Sequence, residues 1–178
     1  MMDKGLENFL TKQHAEGMAL AAESDLVELV PLRSWPPNEY LAVFRCRGLV
    51  RARDGRIVGA HDFKVVIRFP DNYMRNPEPN QVLEWAYPRN VWHPNISDKA
   101  PLICLGRLGP RTELKEILYQ IFDIITYKEF NTLDPLNPDA CAWARQNQHR
   151  FPIDRRPLKR RQVDLQVEHV AAAGGGHP

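Results

Sequence analysis

The sequence predicts an α+β fold in which helices cover one face of a four-stranded antiparallel sheet. Three observations indicate this class: a helical pattern near the N-terminus, a series of short alternating segments separated by turns, and two later helical patterns. The chain has 178 residues, of which 43% are hydrophobic, so it can form one domain with a substantial core. A long irregular stretch, residues 87–110, separates the strands from the last two helices.

The first half of the chain accounts for the sheet and the helix before it. Over residues 4–22, apolar side chains recur at helical spacing, which predicts an amphipathic helix. Strands are expected over residues 26–30, 40–48, 61–69 and 81–87. Asp54-Gly55 is typical of a hairpin turn. Because short connections join the strands, they predict an antiparallel meander with one face covered by helices.

The second half predicts two helices and a tail. The first helix should begin near Thr112, which can cap it, and continue to about Ile125. Asn137 is the expected N-cap of the last helix, with Pro138 as its first residue. We expect a domain over residues 1–157, followed by a charged, weakly ordered tail over residues 158–178. Removing that tail should leave the melting temperature within about 2 °C.

Composition argues against several classes of protein. The net charge is +2 and no dense Lys/Arg block precedes residues 158–161, so no nucleic-acid partner is expected. No run of apolar residues is long enough to span a membrane. The three cysteines, Cys46, Cys104 and Cys141, are widely spaced, which argues against a disulfide framework or a zinc site. These features favour a cytoplasmic protein with no cofactor and no metal.

The long irregular stretch holds the candidate functional residues. Cys46 and Cys141 lie on predicted core faces, where a cysteine usually serves as a small buried apolar residue. Cys104 instead lies in a loop rich in Pro and Gly, after the segment His93-Pro94-Asn95. Long loops in compact domains are often functional. Composition and spacing therefore make Cys104 a candidate reactive thiol and indicate no more than that.

The motifs in combination resemble the ubiquitin-conjugating enzymes. They are His93-Pro94-Asn95-Ile96, then Ile103-Cys104-Leu105, then a long amphipathic helix and Asp134-Pro135-Leu136-Asn137. The resemblance covers roughly residues 4–155 and implies the UBC fold. It implies an acyl transferase that carries ubiquitin or a ubiquitin-like protein as a thioester on Cys104 and passes it to an amine. The implied partners are a cognate activating enzyme and either a ligase or a direct protein target.

The resemblance also implies roles for four further residues. Asn95 would donate a hydrogen bond to the oxyanion formed during transfer, or else hold the loop that shapes the site. Asp134 would orient the incoming amine, although an Asp before Pro is also a common turn starter. His93 is expected mainly to support the loop, together with Pro94.

Departures from the family pattern suggest a divergent or bacterial conjugation system, such as one in antiphage defence. The spacing from Asn95 to Cys104 is about one residue longer than usual, and Leu108-Gly109-Pro110 lacks the common Trp. The first helix has few basic residues. Two alternatives stay open. One is a cysteine hydrolase using Cys104, His93 and Asn95. The other is a non-catalytic module of the same fold that binds a ubiquitin-like protein.

Overall fold

The computed structural model describes residues 3–33, 35–131 and 133–160, and it confirms the predicted α+β class. The elements are α1 (Lys4–Ala22), β1 (Val27–Arg33), β2 (Glu39–Phe44), β3 (Gly48–Arg51), β4 (Ile57–Ala60), β5 (Phe63–Arg68), α2 (Pro79–Val82), β6 (Leu83–Tyr87), α3 (Leu114–Ile125), α4 (Pro138–Gln146) and a 3₁₀ turn (Gln148–Arg150). The four-stranded sheet has the antiparallel order β1-β2-β5-β6, and β3 pairs with β4 as a separate hairpin.

The core lies between the sheet and the helices α1 and α3. Alternate residues of β5 are buried, as the period of two in its sequence predicts. Helix α3 buries one continuous apolar stripe against them. The inward residues of these two elements are Phe63, Val65, Ile67, Ile117, Leu118 and Ile121. This packing fixes the start and end of the long loop, because β6 leads into the loop and α3 follows it.

Three predicted boundaries are wrong for local reasons. Strand β2 ends at Phe44 rather than at residue 48, and Cys46 lies in the turn before β3. Residues 81–82 belong to the short helix α2 instead of the last strand. Glu113, not Thr112, is the N-cap of α3, where it forms a capping box with Glu116. Thr112 cannot cap the helix because its hydroxyl closes the turn with Gly109.

Packing continues past the expected domain end at residue 157. Leu158 is 1% exposed and belongs to the main core. The next two residues bind the C-terminal end of α1: Lys159 pairs with Glu23 at 2.7 Å, and Arg160 donates to the Ala22 carbonyl at 2.9 Å. Helix α1 has no basic residue in its own last turn, so Arg160 supplies the missing partner for its carbonyls. The rest of the predicted tail, residues 161–178, lies outside the described residues.

This packing changes the expected effect of truncation. A chain ending at residue 157 loses the buried Leu158 side chain, which should cost about 2–3 kcal/mol of unfolding free energy. For a domain of this size that loss lowers the melting temperature by roughly 4–12 °C. A chain ending at Arg160 is the matched control and should melt close to the full chain in the same thermal scan. Equal melting temperatures for the two truncated chains would show that Leu158 contributes nothing to the core.

Candidate active site

His93 is a buried residue of the loop that carries Cys104. Its ring is 1% exposed, its Nδ1 accepts the backbone N–H of Asn95 at 3.0 Å, and its ring centroid lies 4.4 Å from that of Tyr127. Burial lowers the pKa of His93 to about 3, an effect that the nearby backbone of Glu129 only partly opposes. The imidazole is therefore neutral at physiological pH.

Tyr127 holds His93 in place from the end of α3. The residue has a φ of 58°, the left-handed conformation that usually ends a helix at Gly. A non-glycine residue in this conformation costs roughly 1–2 kcal/mol. Its ring is 2% exposed, and its hydroxyl donates to the Trp92 carbonyl. These contacts offset the backbone cost, and they direct residues 128–131 back towards the loop.

Asn95 connects the cysteine loop to the segment after α3. Its side-chain Oδ1 accepts the Asn131 N–H at 2.7 Å, and its Nδ2 donates to the Cys104 carbonyl at 3.1 Å. Its own backbone carbonyl accepts the Cys104 N–H at 2.9 Å. An Asn amide nitrogen carries two hydrogens, so one N–H of Asn95, a residue 6% exposed, has no partner among the described residues. The side chain can thus hold the loop and still offer a donor.

The segment that carries Asp134 is tied to the same place at both ends. Asn131 binds Asn95 at one end, and the Asn137 N–H donates to the Pro94 carbonyl at 3.1 Å at the other. Asn137 is also the N-cap of α4, and Pro138 is the first residue of that helix, as predicted. Asp134 itself is exposed. Its carboxylate makes no hydrogen bond or ion pair with any residue that the structure describes. Asp134 is therefore an exposed carboxylate in a segment whose two ends are bonded to Asn95 and Pro94.

Cys104 differs from the other two cysteines in its exposure. It is partly exposed, and the only polar contact of its Sγ among the described residues is a weak one to the Leu105 carbonyl at 3.8 Å. Cys46 and Cys141 are buried, as predicted, and burial raises the pKa of the Cys46 thiol to about 12. Of these three thiols, Cys104 alone is partly exposed.

A shallow cleft of about 470 Å³ lies beside Asn95, and its walls include residues that the sequence did not single out. Gly106, two residues after Cys104, forms one wall, and Lys128, Glu129 and Asn131 form the other. Nothing in the local sequence marks Glu129 as a site residue, because only the left-handed Tyr127 brings it to the cleft. No cluster of metal-ligating side chains occurs among the described residues.

Comparison with known proteins identifies the family. The sequence model of the ubiquitin-conjugating enzymes matches residues 33–155, well over half of the chain. The chain therefore belongs to the ubiquitin-conjugating enzyme family. In general terms, membership implies a ubiquitin or ubiquitin-like protein, an activating enzyme and a ligase as partners.

The solved structures agree at the level of the fold. The E2 domain of a Toxoplasma gondii ubiquitin conjugating enzyme is similar, with 19% sequence identity and a TM-score of 0.52. The similarity covers 79% of this chain and 86% of that chain. No curated protein matches the chain. No helix in the described ranges is both long and apolar enough to cross a bilayer.

Proposed function

We propose that the protein carries ubiquitin or a ubiquitin-like protein as a thioester on Cys104 and transfers it to an amine of a target. The observation that carries this proposal is the placement of Cys104. It is the one partly exposed thiol of the three, and Asn95 binds both its backbone N–H and its carbonyl. A carrier needs an accessible thiol in a fixed loop, without an adjacent base that would promote hydrolysis.

In the proposed transfer, the amine nitrogen attacks the thioester carbonyl and forms a C–N bond. The resulting oxyanion collapses, the C–S bond breaks, and the electron pair leaves on the Cys104 sulfur. The free N–H of Asn95 would stabilise the oxyanion, and Asp134 would orient the amine and receive its proton. His93 and Pro94 would support the loop. The product is an amide, and Cys104 is ready for another charging cycle.

The two alternatives make different demands on the site. A cysteine hydrolase needs a base that can take the thiol proton, but the buried His93 has a pKa of about 3 and its Nδ1 is occupied by the Asn95 N–H. A module that only binds a ubiquitin-like protein has no use for an accessible cysteine in a fixed loop. Both observations favour the carrier.

Charging with a modifier, its activating enzyme and ATP tests the proposal. We expect a covalent adduct that disappears under thiol reductant and in Cys104→Ala. Cys46→Ala and Cys141→Ala are matched controls, because they remove buried thiols, and they should charge normally. Normal charging of Cys104→Ala would refute the assignment, as would loss of charging in a folded Cys46 or Cys141 variant.

The same proposal includes the kind of conjugation system in which the protein would act. The few basic residues of α1, Lys4 and Lys12, together with the longer spacing before Cys104 support a divergent or bacterial conjugation system in the cytoplasm. In the structure Lys12 is engaged by Glu113 at 3.0 Å, which leaves still less free positive charge on this helix. The catalytic domain would then comprise the packed residues up to Arg160.

A further inference from the structure

Positive charge is concentrated in two stretches that are far apart in sequence. Residues 45–56 contain five Arg and one Asp, and residues 145–160 contain five Arg, one Lys and one Asp. Eleven positive and two negative side chains give these stretches a net charge of +9, although the whole chain has a net charge of only +2. The remaining residues are therefore acidic overall. Such asymmetry is typical of a surface that meets an oppositely charged partner.

The fold joins the two stretches into one face. The Arg47 backbone N–H donates to the Asp154 carboxylate at 3.2 Å. The Arg150 guanidinium donates to the Ile57 carbonyl, at the start of β4, at 3.1 Å. Arg156 donates to the Arg45 carbonyl at 3.4 Å. The segment after α4 thus lies along the turn before β3 and along the β3–β4 hairpin.

An open groove of about 880 Å³ runs through this face. Its lining includes Arg47, His149, Phe151, Ile153, Arg155 and Arg156, and we call it the basic groove. Asp154 is buried beneath it and accepts two hydrogen bonds from the Arg156 guanidinium, at 2.9 and 2.6 Å. That pair neutralises Arg156. The guanidinium groups of Arg47 and Arg155 are exposed and make no hydrogen bond or ion pair with any described residue.

We propose that the basic groove docks an acidic, partly apolar, extended segment of a protein partner. Guanidinium groups bind carboxylates through paired hydrogen bonds, and those of Arg47 and Arg155 have no partner in the part of the chain that the structure describes. The groove also has an apolar wall, since Phe151 is partly buried and Ile153 is 45% exposed. A segment in which acidic and apolar side chains alternate matches both kinds of wall.

A nucleic acid fits the same face less well. Non-specific binding of single strands relies on flat aromatic faces on which bases stack. The two tryptophans of this region already have guanidinium groups over their rings: Arg51 lies 5.5 Å from the Trp92 centroid, and Arg150 lies 5.3 Å from the Trp143 centroid. In the groove itself, the Phe151 ring already packs against that of Tyr127, with centroids 4.6 Å apart, and the aliphatic Ile153 offers no stacking surface. The chemistry of the basic groove therefore favours a carboxylate-rich peptide over a phosphate chain.

Fluorescence anisotropy of the full chain with a labelled peptide of alternating Glu and Leu tests the proposal. The double variant Arg47→Glu/Arg155→Glu should weaken binding at least about tenfold. The matched control Arg75→Glu/Arg89→Glu changes the net charge equally but lies outside the groove, so it should change binding less than about twofold at physiological salt, where charges are screened beyond roughly 8 Å. Ile153→Ala should weaken binding of the Glu-Leu peptide but leave binding of a Glu-Ser peptide unchanged.

Three results would overturn the proposal. Equal weakening by the two double variants would show that only overall charge matters. Tighter binding of single-stranded DNA than of the peptide, with the same dependence on Arg47 and Arg155, would assign the groove to nucleic acid. Tighter peptide binding in the variant Asp164→Asn/Glu168→Gln would assign it to the chain's own C-terminal residues. None of these measurements depends on Cys104, so the proposal can fail while the carrier function stands, and the reverse also holds.

Discussion

Replacing Asn95 by Ala should slow discharge of the Cys104 thioester to lysine by roughly a hundredfold to a thousandfold, the usual effect of losing one oxyanion donor. Charging of Asn95→Ala should stay close to the rate of the wild-type protein, because thioester exchange with the activating enzyme does not depend on this donor alone. The physical reason is the second N–H of the Asn95 amide, which is free while the first binds the Cys104 carbonyl. Single-turnover chase of purified thioester measures the rate.

Two comparisons separate this role from simple loop support. Asn95→Asp keeps an oxygen that can accept the Asn131 N–H but has no amide donor, so it should discharge as slowly as Asn95→Ala. The rate at which a thiol reagent labels Cys104 should be similar in all three proteins if the loop is intact. Normal discharge by Asn95→Asp would show that Asn95 acts through its bond to Asn131 and not on the oxyanion.

Replacing Asp134 by Asn should slow discharge to lysine at least about tenfold, a barrier change of about 1.4 kcal/mol, and leave discharge to hydroxylamine nearly unchanged. Lysine is protonated at neutral pH, so it must be oriented and lose a proton, whereas hydroxylamine is already a strong nucleophile. Asp134 suits this task because its segment is bonded to Asn95 and Pro94 at its two ends and its exposed carboxylate has no partner among the residues that the structure describes. The Asn95 variants, unlike Asp134→Asn, should slow discharge both to lysine and to hydroxylamine.

Glu129→Gln is the matched comparison for Asp134→Asn. Glu129 lines the cleft beside Asn95, so it is a second candidate for the carboxylate that orients an incoming amine. We expect a smaller effect than for Asp134→Asn, since Glu129 lies on the side of the cleft formed by the end of α3. Slow lysine discharge in Glu129→Gln with normal discharge in Asp134→Asn would move the amine-orienting role from Asp134 to Glu129.

Local sequence patterns were sufficient to predict the helices and caps that depend on neighbouring residues in the sequence. Helix α1 coincides with the predicted range 4–22 because apolar side chains recur at helical spacing near both of its ends, and α4 begins at Pro138 because Asn137 caps it. The start of α3 was misplaced because two neighbouring residues can both cap a helix. Only the turn from Gly109 to Thr112 decides between them, by engaging the Thr112 hydroxyl.

Features that depend on long-range contacts could not be predicted. Leu158 is buried because it packs into the main core, which is formed by residues far from it in sequence. The charged residues that follow it, Lys159 and Arg160, predict a solvated tail instead. Glu129 reaches the cleft through the left-handed Tyr127, a conformation that no sequence signal marks. The basic groove is missed for a related reason. Each arginine-rich stretch is modest by itself, and only contacts between residues far apart in sequence, such as that of Arg47 with Asp154, join the two.

The most direct test of the carrier function is charging of Cys104→Ser. Replacing sulfur by oxygen at the same atom should convert a reductant-sensitive thioester into an oxygen ester that survives thiol reductant and accumulates. Mass spectrometry of the adduct should place the ester on residue 104. An adduct of Cys104→Ser that is still removed by reductant, or one mapped to Cys46 or Cys141, would contradict the proposal that Cys104 carries the modifier.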